Sequence, residues 1–483
     1  MSPVRYWFPL LLLLLTFMTG CHEEQVSSDP SLRLAFSTDT LRFDTVFTTI
    51  GSSTRQVMVY NPNRQAVRIE DVSVSTDYFR INLDGENDPA RLHDIVLFGG
   101  DSLYLFIRAT INPQAQNAPV LINDSVVFHL NGHRQNLQLE AYGQDVHIVR
   151  TAGRHTQTDT YRFTADRPYL IYDTLTVSGV TVMDAGATLY MHTGASLWFS
   201  GTLHAHGTLD KPIRITSDRL DKLFAQVPYQ MASGQWDGIY LIHKAGTPAV
   251  DDTLNYVEIR NGNIGLYSLC EDAAVRSRLV IANSRIHNQS RYGIVLLNTD
   301  ATVYNTEVSN CASYCLFLSG GDHLLTHNTI ASYFGYPYSN LNIHTTGRED
   351  VAAVYVNRFS DSIAPTQIRL FNSIVAGARE QNMMVALQDS GMFTGEIAGN
   401  YLMCDTLPFE GCHDNVYGNV NDTVFRNIRY LHGEYQYDDV RLDSLSPARG
   451  IGLPQPAQSY PMDRNGIPRT DNIDAGCYQW TEP

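Results

Sequence analysis

Asn283-Ser284-Arg285-Ile286, Asn305-Thr306-Glu307-Val308, Asn328-Thr329-Ile330 and Asn372-Ser373-Ile374 repeat one short pattern. Their leading asparagines stand 22, 23 and 44 residues apart, and the last gap reads as two periods. Asn288 and Asn310 keep the phase, 22 apart, and Asn261 precedes them by 27, with Glu271-Asp272-Ala273-Ala274 in the longer gap. A repeat this short cannot bury its own apolar face, but stacked copies can. At period two, Val257, Ile259, Ser284, Ile286, Thr306 and Val308 point inward. Rungs about 4.8 Å apart set equivalent side chains in columns. Asn261, Asn288 and Asn310 then form a ladder at one turn, because asparagine tolerates left-handed backbone and stacked amides hydrogen-bond between rungs. A period of ~22 predicts an all-β, three-sided parallel β-helix.

The flanking sequence agrees. Val177-Ser178-Gly179-Val180-Thr181-Val182, Ala185-Gly186-Ala187-Thr188-Leu189, Gly194-Ala195-Ser196-Leu197, Gly201-Thr202-Leu203-His204 and Trp236-Asp237-Gly238-Ile239 precede the repeats. Ser446-Pro447-Ala448-Arg449-Gly450, Asp463-Arg464-Asn465-Gly466-Ile467-Pro468-Arg469 and Asp474-Ala475-Gly476-Cys477-Tyr478 follow them. These stretches resemble the opening rungs and closing segment of right-handed parallel β-helix proteins of the pectin-lyase-like superfamily, bacterial surface members especially. The resemblance spans residues 165–480 and implies a right-handed coil, but fold alone does not give function.

Residues 32–147 alternate apolar and polar over short runs such as Gln56-Val57-Met58-Val59-Tyr60 and Leu103-Tyr104-Leu105-Phe106-Ile107, separated by Asn61-Pro62-Asn63, Gly99-Gly100-Asp101 and Asn131-Gly132. This predicts an antiparallel β-sandwich. Val59-Tyr60-Asn61-Pro62-Asn63, with Ile69-Glu70-Asp71-Val72 after it and Ala141-Tyr142-Gly143-Gln144-Asp145 closing, resembles the immunoglobulin-like, Hydin-type domain of bacterial surface proteins, which implies a spacer or contact module.

Residues 1–20 read as a signal peptide. Arg5 is the sole charge before a thirteen-residue apolar core, Tyr6 to Met18, too short for the ~20 residues of a membrane span. Met18-Thr19-Gly20-Cys21 resembles a bacterial lipobox, with Met18 in place of the usual leucine, and implies lipid on Cys21. His22-Glu23-Glu24 resembles the surface-export signal of Bacteroidetes lipoproteins, and residues 21–31 read as a flexible tether. The expected address is the outer membrane, held by lipid, at the cell surface.

The formal charge of −16, with Lys211, Lys222 and Lys244 the only lysines, argues against nucleic-acid binding. Six cysteines follow Cys21 without zinc spacing, and no metal site is expected. Cys404 and Cys412 flank a short loop and are the candidate disulfide. Cys311 and Cys315 can pair only if the chain turns between them, since an extended stretch holds them about 13 Å apart.

Enzymes of the superfamily act on polysaccharides through recognisable residue patterns. Asn298-Thr299-Asp300, with Gly321-Asp322-His323 one rung later, matches part of the polygalacturonase pattern. The other polygalacturonase motifs are missing, and these residues read as a turn between rungs. Pectate lyases hold Ca²⁺ with clustered carboxylates, and Ca²⁺ is a cofactor here only under that reading. In the register above, Glu258, Arg285 and Glu307 stack on one outer face with Arg260 and His287 beside them. A lyase could use His287 or an arginine as base and the second arginine against a uronate. The same residues could equally be a charge ladder on a solvated face. Tyr333, Phe334, Tyr336 and Tyr338 offer rings for sugar stacking or for loop packing.

The function expected from sequence is a surface lipoprotein that contacts glycan or matrix through its coil, with no catalysis established. The alternative is a lyase or glycoside hydrolase acting on an acidic polysaccharide through Glu258, Arg285, His287 and Glu307. Oligomeric state is not legible. Fatty-acid labelling should mark the wild type and not Cys21→Ser; equal labelling refutes lipidation.

Overall fold

The structure, a computed structural model, describes residues 25–88, 92–150, 155–157, 159–222, 228–334, 352–358, 362–386, 393–407, 410–428 and 439–482. Cys21, Tyr336 and Tyr338 lie outside them. The chain divides into two compact units, Met1–Asp145 and Val146–Pro483.

The first unit packs a six-stranded sheet and a four-stranded sheet around one apolar core. Alternation drives it: strand Arg55–Tyr60 buries Val57 and Val59 and turns Gln56 and Tyr60 out. Most pairings are antiparallel, as expected, but strand Thr40–Phe47 runs parallel to His133–Gln144, and Val26–Ser27 parallel to Ala66–Val74. The sandwich is therefore mixed rather than purely antiparallel. Asn61 fixes one corner by donating its side-chain amide to the carbonyls of Gln65, Leu97 and Phe98.

The second unit is the coil. Among the described residues, three parallel sheets of 11, 9 and 10 strands make its walls; most rungs give one strand to each, and the last rungs add strands to the first and third alone. The first sheet includes Val257–Arg260, Arg285–Gln289, Glu307–Cys311, Thr329–Ser332 and Ile374–Gly377. The second includes Ser196–Phe199, Trp236–His243, Gly262–Cys270 and Tyr292–Leu297; the third includes Asp251–Asn255, Arg278–Ala282, Asp300–Tyr304 and Gly321–Thr326. Inward residues stack as aliphatic columns. Ile259, Ile286, Val308, Ile330 and Val375 are successive partners on the first sheet, all essentially inaccessible to solvent. Coiling begins at His147–Val149, which pairs with Tyr169–Ile171, ahead of the expected residue 165.

The corners explain the repeat. Asn283, Asn305 and Asn372 enter the left-handed region, and the Asn283 amide donates to Asn255 and that of Asn305 to Asn283, at 2.9 and 3.0 Å. At the other expected corner, Asn261, Asn288 and Asn310 also have positive φ, and Asn288 donates to Asn261 at 3.1 Å. The third repeat is shifted by one residue from the sequence reading. Glu307 pairs with Thr329 and Thr329 with Ile374, so His327, at φ 53°, occupies the asparagine position and Asn328 follows it. The 44-residue gap is one rung, not two: Thr329–Ser332 pairs directly with Ile374–Gly377. Most of the extra chain, 335–351, lies outside the described residues.

All six cysteines beyond Cys21 are free thiols. The expected Cys404–Cys412 bridge is therefore corrected. Cys404 follows the first-sheet strand Tyr401–Leu402 and Cys412 opens the third-sheet strand Cys412–His413. Burial pushes the Cys404 thiol up to about 12, with Asp405 and Cys412 adding to it.

Asn305→Ala should lower stability by about 2–4 kcal/mol, from the lost amide bonds and left-handed strain. Asn305→Gly should recover part of this in urea titrations. Wild-type stability in the alanine variant would refute the ladder's role.

Candidate functional site

On the first sheet, Glu258 pairs with Arg285, Arg285 with Glu307, and Arg260 with His287, the register expected from sequence. Their exposure is not as expected. Residues from the C-terminal segment close over the row. Tyr478 donates its hydroxyl to Glu307 at 2.5 Å, and Arg464 reaches Glu258 and the Ser284 carbonyl, each at 3.4 Å. Beneath them Arg285 donates to Glu307 at 2.7 Å, Ser309 donates to Glu307 at 2.6 Å, and His287 lies 2.8 Å from the Ser309 hydroxyl. The side chains of His287 and Glu307 retain only 1% and 2% of their exposure. This corrects both readings: the row is neither an open catalytic groove nor a solvated ladder, but a closed polar network.

Its electrostatics suit that role. Burial pushes the Glu307 carboxyl up, but the Arg285 charge, with hydrogen bonds from Ser309 and Tyr478, outweighs it and holds the group at about 2. Burial, then the Arg285 charge, drives His287 well below its ordinary value, so the imidazole is neutral. Arg260 and Arg214 reach Glu258 at 3.3 and 3.5 Å on the network's more open side.

Tyr333 does not offer a sugar platform. It is 4% exposed and sets its ring edge-on to Phe425, 6.0 Å away, in a satellite core with Tyr401 and Val440. The ring was drawn inward by burial, the larger energetic term for an aromatic.

An aromatic row that the sequence reading missed runs along the outer face of the second sheet. Trp198, Tyr240 and Tyr267 are successive partners there; Val295 follows, then Phe317 and Tyr355. Every one of these except Val295 is partly exposed. Trp198 stacks on Tyr240 at 4.3 Å, and Tyr314 on Tyr355 at 4.7 Å. Tyr240 donates to Asp237 at 3.1 Å, and Arg291 lies over the Tyr292 ring at 5.8 Å. Burial, with Asp237 beside it, raises the Tyr240 phenol well above its ordinary value. The signal was present as aromatic residues between inward apolar ones, as in Leu197-Trp198-Phe199, Ile239-Tyr240-Leu241 and Val354-Tyr355-Val356.

The partial polygalacturonase motif divides in two. Asn298 is a turn residue at φ 52°, accepting the Ala364 amide at 2.8 Å. Asp300 and Asp322 lie on adjacent third-sheet strands, the Asp322 amide donating to the Asp300 carboxylate at 2.9 Å. Buried His323 sits behind them, its imidazole pushed down to about 4 by burial. Among the described residues no three His, Cys, Asp or Glu group so as to hold a metal ion.

No family model matches the chain. No curated protein matches it either. Among solved structures, one similarity is to a family 123 glycoside hydrolase from Clostridium perfringens studied for glycolipid glycan hydrolysis, at 9% identity over 24% of this chain and 30% of that one, TM-score 0.19. Others are to the VesB protease of Vibrio cholerae, at 8% identity over 23% and 31%, TM-score 0.17, and to an ASH/PapD-like domain of human CEP192, at 12% identity over 26% and 97%, TM-score 0.18. Overlaps this small assign neither fold nor activity to this chain.

Acid should loosen the closed network. Glu307 is depressed to about 2 from an ordinary 4.5, so its stabilisation is complete above that ordinary value and is lost as pH falls through the window toward 2. Glu307→Gln should cost about 3–5 kcal/mol by leaving Arg285 unmatched and should flatten the acid limb in chemical denaturation followed against pH. An unchanged acid limb would refute the assignment.

Proposed function

We propose that this chain is an exported, lipid-anchored surface protein whose coil binds a polysaccharide along the aromatic row of its second sheet. The row carries the proposal. Sugars present C–H faces to aromatic rings, and rings partly open to solvent at rung spacing suit a ligand that repeats. The charged start, short apolar core and Cys21 support export and lipid attachment at an outer membrane, with the cell surface as destination. The residues ahead of strand Val26–Ser27 serve as a tether shorter than the expected 21–31, because that strand joins the sandwich, and the immunoglobulin-like sandwich serves as spacer or contact module.

Catalysis on an acidic polysaccharide is the weaker reading. Glu258, Arg285, His287 and Glu307 converge, but the C-terminal segment covers them, and a general acid or base must reach its substrate. Purified protein should bind at least one member of a panel of neutral and acidic polysaccharides and release neither reducing ends nor unsaturated uronate. Trp198→Ala with Tyr240→Ala should weaken binding about tenfold or more by calorimetry. Binding to no member, or undiminished binding by the double variant, overturns the aromatic site, and product release establishes an enzyme.

A further inference from the structure

The third sheet carries a groove on its outer face, distinct from the aromatic row. Its cavity measures about 490 Å³ and is lined by Asp251, Arg278, Asp300, Asp322 and Arg369, with Val280, Thr302 and Leu324 also contributing. The register explains this arrangement. Asp251 pairs with Arg278 and Arg278 with Asp300, making one charged row. Two residues along, Val280, Thr302 and Leu324 are successive partners, followed by Arg369. The groove is thus a strip of small and aliphatic side chains with a charged row along one edge and Arg369 at one end, set at rung spacing.

Each bordering carboxylate is already matched. Arg278 holds Asp251 through two bonds of 2.8 and 2.9 Å, Arg276 holds Asp300 at 2.6 Å, and Arg369 holds Asp322 at 2.9 Å. These three acids and three arginines cancel in charge. A polyanion entering here meets three carboxylates, and the guanidiniums that would welcome it are engaged; a polycation meets the converse. A hydroxyl suffers neither penalty. It can donate to an unused carboxylate lone pair and accept from an unused guanidinium N–H, while the ion pair stays intact. The strip of Val280, Thr302 and Leu324 beside this charged row suits the C–H face of a sugar ring.

We infer that this groove is a binding site for a neutral, hydroxyl-rich polysaccharide lying along the coil axis. It stands apart from the aromatic row and does not require it. The ligand class also differs from the acidic polymer that the polysaccharide-cleaving resemblance suggested.

The test uses the mature chain with dextran and a soluble β-linked glucan as neutral probes and polygalacturonate as the anionic one. Thr302→Trp fills the groove without touching the ion pairs, and Asp322→Asn keeps the shape but removes one charge. With unfolding midpoints confirming that both variants fold, Thr302→Trp should weaken binding of a neutral glucan at least tenfold. Asp322→Asn should weaken it less and make polygalacturonate bind better. Affinity for the glucan should not change with added salt. Failure of both neutral probes to bind the wild type, or unchanged affinity in Thr302→Trp, overturns the inference. If Trp198→Ala with Tyr240→Ala alone abolishes glucan binding, the aromatic reading stands and this one falls. Loss in Thr302→Trp alone gives the reverse.

Discussion

At the corner between the third and first sheets, the rungs from Tyr256 onward turn through one left-handed residue and leave the next backbone N–H near the coil interior. Side chains from the following rung accept those protons. Val257 donates to Ser284, Ser284 to Thr306, Thr306 to Asn328, Asn328 to Ser373 and Ser373 to Asn400, at 2.7 to 3.4 Å. A buried N–H without an acceptor costs about 1–3 kcal/mol, so a slip of one residue would orphan several at once. This ladder holds the rungs in register. The aliphatic columns inside and the charged or aromatic rows outside are consequences of that register, because side chains alternate strictly along each strand.

The three outer faces start from the same geometry and end differently. On the first, a carboxylate and guanidinium row lies under Arg464 and Tyr478, and enclosure turns surface charges into a buried network. On the second, partly exposed rings stack on one another. On the third, the acids are matched singly by arginines and border a groove. What each face can bind follows from what covers it, not from the residue types in its row.

The sequence pattern disclosed the coil because corner chemistry is local. An asparagine that can adopt positive φ, followed by a small polar acceptor and an inward aliphatic, marks a rung wherever it occurs. The pattern misled where chemistry substitutes for itself. His327 adopts the same backbone as Asn283 and Asn305, and reading Asn328 in its place shifted one rung. The stretch between Ser332 and Val354 looked like a second rung because length alone does not reveal which strands pair.

By itself, then, the sequence determined the rung period, the inward columns and the pairing of Glu258, Arg285 and Glu307, since each depends on residues within about one turn of the coil. Only the tertiary structure decided that this row is closed. Tyr478 meets Glu307 across 171 residues and Arg464 meets Glu258 across 206. No periodicity encodes a segment that returns from so far along the chain. Nor could spacing tell that the Tyr333 ring is buried while Trp198 and Tyr240 remain partly open, because exposure depends on every neighbour at once.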